Sequence, residues 1–163
     1  MKMKEALEWI KSRRSCRNYQ SKQIEEEDLK EIVNCGMLAP SGMNEQGIQF
    51  TVIQDPSILK ALKELVGRDF IYGAPTLIVV HAPKDYRYVM SDGSAAIENM
   101  YLASHVLGLG SCWINQLKDY PESELLKTLG FQDHIITGAL AVGYAAEAAK
   151  PRVLKEDRVH YIR

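Results

Sequence analysis

Residues 92–115 read "DGSAAIENMYLASHVLGLGSCWIN". Ala96, Met100, Ala103 and Leu107 recur at helical spacing and predict one apolar stripe along a helix over 92–110. Gly108 accepts the left-handed backbone that ends a helix. "SCWIN" (111–115) follows as a short strand. A long amphipathic helix running straight into an apolar strand implies a sheet with helices laid over it.

The same alternation extends in both directions. "APTLIVVHA" (74–82) is a near-continuous apolar run, as expected of a strand covered on both faces. "DPS" (55–57) puts Asp55 at an N-cap ahead of Pro56 at the first helical position, so a helix should run to about Val66. "GIQFTVI" (47–53) is rich in β-branched and aromatic residues and reads as a strand. Ile24, Leu29, Ile32, Val33 and Met37 mark a helix behind the acidic start "EEED", and Pro40 stops it. Met3, Leu7 and Ile10 mark a first helix up to about Ser12. Downstream, "YPESELLKTLG" (120–130) is a short helix with Pro121 near its start and Gly130 past its end. "HIITGALAVGYA" (134–145) is a long apolar strand. The tail after Lys150 is polar with a small apolar end and has no evident local place. Pattern alone gives an α/β chain in three layers, which is usually a parallel sheet. The G-x-G-x-x-G of a dinucleotide-binding domain is absent.

Composition narrows the function. The 163 residues, 46% apolar and 25% charged, suit one domain over 1–163. Twenty Lys+Arg stand against 21 Asp+Glu, a net charge of −1. That is no basic field for nucleic acid, so no nucleic-acid partner is expected. No run of 18 apolar residues exists, so no membrane span is expected. "MKMKEALEWI" interrupts its apolar residues with charges and lacks a secretory h-region. Cys16, Cys35 and Cys112 are odd in number and widely spaced. The expectation is free thiols, no zinc site and a cytoplasmic protein. The four histidines are scattered in the sequence, and Ser111 has no G-x-S-x-G elbow.

Within this neutral chain, "SRRSCRNY" (12–19) concentrates Arg13, Arg14 and Arg17 around Ser15. A charge run is commonly a solvated surface. Guanidinium forks also match phosphate oxygens bidentately, and the compact group suits one phosphomonoester. A second constellation, "LAPSGMNEQGIQF" (38–50), offers Ser41, Asn44 and Gln46 between a helix and a strand. Ordinary turn chemistry accounts for such residues; an amide at every second position could also read the polar edge of a heterocycle.

"RRSCRNY", "APSGMNEQ", "DGSAAIENMYLASHVLGLGSCWIN" and "GYAAEAAKPR" together, in this order, resemble the nitroreductase family of flavin enzymes, over about residues 8 to 161. The resemblance implies an α+β fold with a central mixed, mostly antiparallel sheet flanked by helices, in place of the parallel arrangement. It implies a homodimer with FMN at the subunit interface and a C-terminal segment swapped onto the partner. By position, Arg13, Arg14 and Ser15 match the phosphate-and-ribityl motif, and Arg17 the basic residue at the pyrimidine edge of the flavin. Pro40, Ser41 and Asn44 match the loop given by the other subunit. Lys150 and Arg152 match the late basic pair that closes on the phosphate. Gly110, Ser111 and Asn115 belong to the stretch that lies along the ring near N5, where many relatives read Pro-Ile-Glu-Gly and this chain reads Trp113-Ile114-Asn115-Gln116. The implied activity is hydride transfer from NADH or NADPH through FMN to a small electron-poor acceptor, a nitroaromatic or quinone, by ping-pong turnover. The resemblance leaves two alternatives: a flavin-storage protein, or a variant acting on flavin or a halogenated substrate. The middle segment "PKDYRYVMS" is short, so Tyr86 and Tyr88 are the candidate substrate contacts there.

Overall fold

The computed structural model describes residues 3–119, 122–155 and 158–163; Pro121 lies outside them. The elements are α1 (Met3–Ser12), α2 (Glu26–Met37), β1 (Gln49–Ile53), α3 (Pro56–Val66), β2 (Thr76–Pro83), α4 (Val89–Val106), β3 (Gly110–Ile114), α5 (Glu122–Leu129) and β4 (His134–Gly143). Short 3₁₀ turns span Gly42–Asn44 and Gln116–Asp119.

The four strands form one sheet in the order β1-β2-β4-β3, and every neighbouring pair is antiparallel. This corrects the parallel arrangement that pattern alone suggests. Periodicity records which residues are buried, and a strand covered on both faces looks the same in either direction. The layers themselves are as expected. Leu77, Val79, Ala139 and Ala141 face α3 and α5, while Ile78, Val80, Leu140 and Val142 face α2 and α4. All eight are fully buried, each worth up to about 1.5–3 kcal/mol for the larger side chains.

Local chemistry explains the element ends. Asp55 caps α3 by accepting from the Ser57 and Ile58 amides, with Pro56 inside the first turn and Gly67 at φ 74° closing it. Helix α4 begins at Val89, three residues before Asp92, and ends at Val106. Its buried face is broader than the four-residue stripe: Ile97, Tyr101 and Ser104 are buried beside Ala96 and Met100, whereas Leu107 is exposed.

The parallel component of the sheet is one bridge, Ser15 to Ser111, outside the named strands. There the Cys16 amide donates to the Ser111 carbonyl at 2.8 Å. On the other side Tyr19 bridges Ala145, the Gln20 amide donates to the Tyr144 carbonyl at 2.9 Å, and the Ala146 amide to the Asn18 carbonyl at 2.9 Å. The arginine-rich stretch is thus threaded between β3 and the segment leaving β4. That threading positions the candidate site.

Candidate functional site

Because residues 15–20 are tied to 144–146, the next residues of the tail must turn back over the arginines. The result is a cleft of about 720 Å³ whose lining includes Arg14, Ser15, Arg17, Gly110, Lys150 and Arg152. These six expected residues come from three distant parts of the chain. Their positive charges face a single lining acid, Glu147.

Arg14 is half-buried. Its Nη1 donates to the carbonyls of Lys11 and Arg13, each at 2.6 Å, closing the C-terminus of α1. Its Nε is buried without a hydrogen-bond partner among the described residues. An unpaired buried donor is costly, and an anion in the cleft would satisfy it. Ser15 Oγ accepts from the Tyr101 hydroxyl at 2.7 Å, which leaves the serine proton free to donate. Burial pushes the Tyr101 phenol up, so it stays a protonated donor. Gly110 supplies the close approach: a Cβ there would lie 2.8 Å from Cys16 Sγ and 3.1 Å from the Ala145 Cβ. Arg17 is exposed, with its guanidinium 5.8 Å from the Tyr72 ring centre.

Arg13 is placed differently from its neighbour. Its guanidinium lies over the Tyr101 ring at 4.0 Å, its Nε is 3.9 Å from Glu98, and its Nη1 is buried without a partner. It does not line the cleft. Ser111 is buried, and Asn115 is exposed just beyond β3. Gln116 accepts from the Arg68 guanidinium.

Three residues of the lining carried no signal in the sequence. Trp9, Ser12 and His105 sit at the α1 end of the cleft. Ser12 Oγ is 2.8 Å from His105 Nε2, and the Trp9 ring meets His105 edge-on at 5.5 Å. Burial, and then the charges of Arg13 and Arg14, push the imidazole down.

The second constellation lies apart. Pro40 and Ser41 line a cavity of about 100 Å³ with Gln46, Ile48, Asp92 and Ala96. It shares no lining residue with the cleft. Ser41 Oγ accepts from the Gln46 amide at 3.2 Å, and Asn44 Oδ1 from Gln46 Nε2 at 3.0 Å. Met43, Asn44 and Gln46 all have positive φ, at 52°, 57° and 52°. Tyr86 and Tyr88 pack on this loop: a Cβ at Gly47 would lie 2.6 Å from the Tyr86 ring, and one at Gly42 would strike the Tyr88 ring. Both tyrosines are half-buried there.

Elsewhere, His81 and His134 are partners, with their Nδ1 atoms 2.8 Å apart, although they are distant in sequence. Among the described residues no group of three or more His, Cys, Asp or Glu could hold a metal ion. No helix among them is long and apolar enough to cross a membrane. Burial pushes the Cys112 thiol up, which suits a packed rather than a nucleophilic cysteine.

Comparison with known proteins gives the family and the fold. The Nitroreductase family model matches residues 10–69 and 61–144. A protein of Archaeoglobus fulgidus provisionally named NADH dehydrogenase/NAD(P)H nitroreductase is 37% identical over 153 residues, covering 87% of this chain and 86% of its own. The FMN reductase (NAD(P)H) of Bacillus subtilis is 25% identical over 184 residues, covering 97% of this chain and 74% of its own. The crystal structure of a nitroreductase with bound FMN from Bacteroides fragilis superposes with a TM-score of 0.90 at 33% identity. It covers 98% of this chain and 99% of its own.

Proposed function

Because this chain belongs to the nitroreductase family, we propose that it is an FMN-dependent oxidoreductase that takes a hydride from NAD(P)H and delivers it to an electron-poor acceptor such as a nitroaromatic or a quinone. The observation that carries this reading is the convergence of Arg14, Ser15, Arg17, Lys150 and Arg152 on one cleft beside the close approach at Gly110. FMN, when bound, supplies hydride chemistry at its N5 position.

The residues fit that cofactor. Arg14 Nε, buried and unpaired, together with Lys150, Arg152 and the free proton of Ser15, suits a dianionic phosphate. Arg13, stacked on Tyr101, supports this end from behind. Arg17 also lines the cleft, and in this reading its charge would favour the reduced, anionic ring at the pyrimidine edge. Of the 110–115 stretch, Gly110 lines the cleft, and in this reading its backbone would face the ring. No side chain is assigned as acid or base. The names of the A. fulgidus and B. subtilis relatives support NAD(P)H as the reductant, and the B. fragilis structure supports FMN.

We further propose a homodimer. Pro40, Ser41 and Asn44 do not line the cleft of their own chain, and in a dimer they would serve the partner's flavin. Leu7, Ile10, Met37 and Leu38 are exposed, as are Val153, Leu154, Val159 and Ile162 in the tail. Burying these apolar side chains against a second copy would favour association. A tail that crosses to the partner's sheet would cover its own apolar residues. The test is uptake of FMN by flavin-free protein, which should saturate at one FMN per chain. A protein that takes up none contradicts the reading.

A further inference from the structure

We infer that Asp92 is a positioning residue for the flavin site of the partner subunit: it clamps the 40–47 loop in the shape that presents Ser41 and Asn44 across the subunit boundary. The inference rests on the FMN and dimer reading above, and the experiments are chosen to separate the two.

Asp92 sits in the first turn of α4 and is 6% exposed. Its Oδ2 accepts from the Gly42 amide at 2.8 Å and from the Tyr86 hydroxyl at 2.6 Å, and its Oδ1 from the Ser91 hydroxyl at 3.0 Å. A carboxylate is costly to bury, and these three donors are what make it tolerable there. Two of them tie the loop to the helix: Gly42 is part of the loop, and Tyr86 lays its ring on Gly47 at the loop's other end.

The loop needs such a hold. Met43, Asn44 and Gln46 have left-handed backbones without being glycine. Residues without that freedom persist in such conformations only where their surroundings over-determine them. Inside the loop the fixings are few: the Asn44 and Glu45 amides to the Ser41 and Gly42 carbonyls at 3.0 and 3.1 Å, and the two Gln46 bonds described above. Asp92 is the hydrogen-bonded link from this turn to α4. The loop's cavity and the cleft share no lining residue, which on the dimer reading assigns the loop to the partner's site.

Two measurements on the full-length protein test the inference. The first uses flavin-free protein, so it stands whether or not FMN is the cofactor. Asp92→Ala should raise amide hydrogen exchange at Gly42 to Gln46 by about tenfold, the worth of one lost charge-assisted bond. Asp92→Asn keeps an acceptor for Gly42 and Tyr86 and a donor towards Ser91, and should stay close to wild type. Unchanged exchange in Asp92→Ala overturns the clamp. Should Asp92→Ala fail to fold, Tyr86→Phe removes one of the two bonds on Oδ2 and is judged by the same readout.

The second measurement uses mixed dimers of differently tagged chains, one carrying Arg14→Ala and the other Asp92→Ala. If Asp92 serves the partner's site, one site of the mixed dimer carries both lesions and the other none. Half of the sites should then bind FMN as tightly as wild type. Two weakened sites, each with one lesion and neither as tight as wild type, would mean that Asp92 acts within its own chain and would overturn the inference. If wild type takes up no FMN, the functional reading fails, and with it the action on a flavin site; the exchange result then judges the clamp alone.

Discussion

Tyr101, in the buried face of α4, donates its hydroxyl to Ser15 Oγ at 2.7 Å while the Arg13 guanidinium covers its ring at 4.0 Å. One tyrosine thereby sets the direction of the serine proton and backs the arginine cluster. Tyr101→Phe keeps the ring and the stacking but lets the Ser15 hydroxyl rotate. A net hydrogen bond contributes about 0.5–1.5 kcal/mol, so FMN affinity should fall by about 3- to 10-fold. Riboflavin, which lacks the phosphate, should bind to the variant as it does to wild type. Equal losses for both ligands would mean that Ser15 does not face the phosphate.

The arginines should divide the cofactor between them. Hydrogen bonds to charged groups contribute about 1.5–3 kcal/mol, so Arg14→Ala should weaken FMN by about 10- to 100-fold, with riboflavin much less affected and the salt dependence shallower. Arg17→Ala should weaken both ligands alike and lower the flavin midpoint potential. Titrations of both flavins against both variants decide it. No loss in either variant would return these arginines to the status of a solvated surface.

Much of this geometry was legible in the sequence, and what was not has physical causes. Asp55 and Pro56 start α3 by local chemistry, so its start was legible to the residue, and its end lies at Val66, where the pattern put it approximately. Periodicity did not give strand direction, because the partners of Leu77 and Ile78 belong to elements far along the chain; the family resemblance did, and the sheet is antiparallel as it implied. The positive residues of the cleft stood out by type. Their convergence depends on the pairing of Gln20 with Tyr144 and Asn18 with Ala146, which no local pattern records. Asp92 stood only as the first residue of the expected helix and Tyr101 fell outside its stripe, since each acts through a contact dozens of residues away. His81 and His134 looked unrelated for the same reason.

That histidine pair sets an expectation for acid stability. His81 is 3% exposed, with Nε2 2.9 Å from Thr51 Oγ1 and its ring stacked on Phe131 at 4.2 Å. Burial, and then the charge of His134, push its pKa down from 6.5 to about 4. The unfolded chain therefore binds a proton near pH 6.5 that the folded chain refuses until about pH 4. Stability contributed by neutral His81 is present above that window and is lost as pH falls through it, by up to about 3 kcal/mol. Urea unfolding at steps from pH 7 to pH 4 should show this slope in wild type and a flatter one in His81→Gln. Parallel slopes would place the acid sensitivity in other groups.

The central claim is that the cleft holds a flavin that NAD(P)H reduces. Anaerobic mixing of FMN-loaded protein with NADH or NADPH tests it most directly. The account predicts that the flavin's visible absorbance bleaches within the mixing experiment with at least one of the two, and that a quinone added afterwards restores it. An FMN-loaded protein that stays yellow with both nucleotides would contradict the account and leave a flavin-binding protein without turnover.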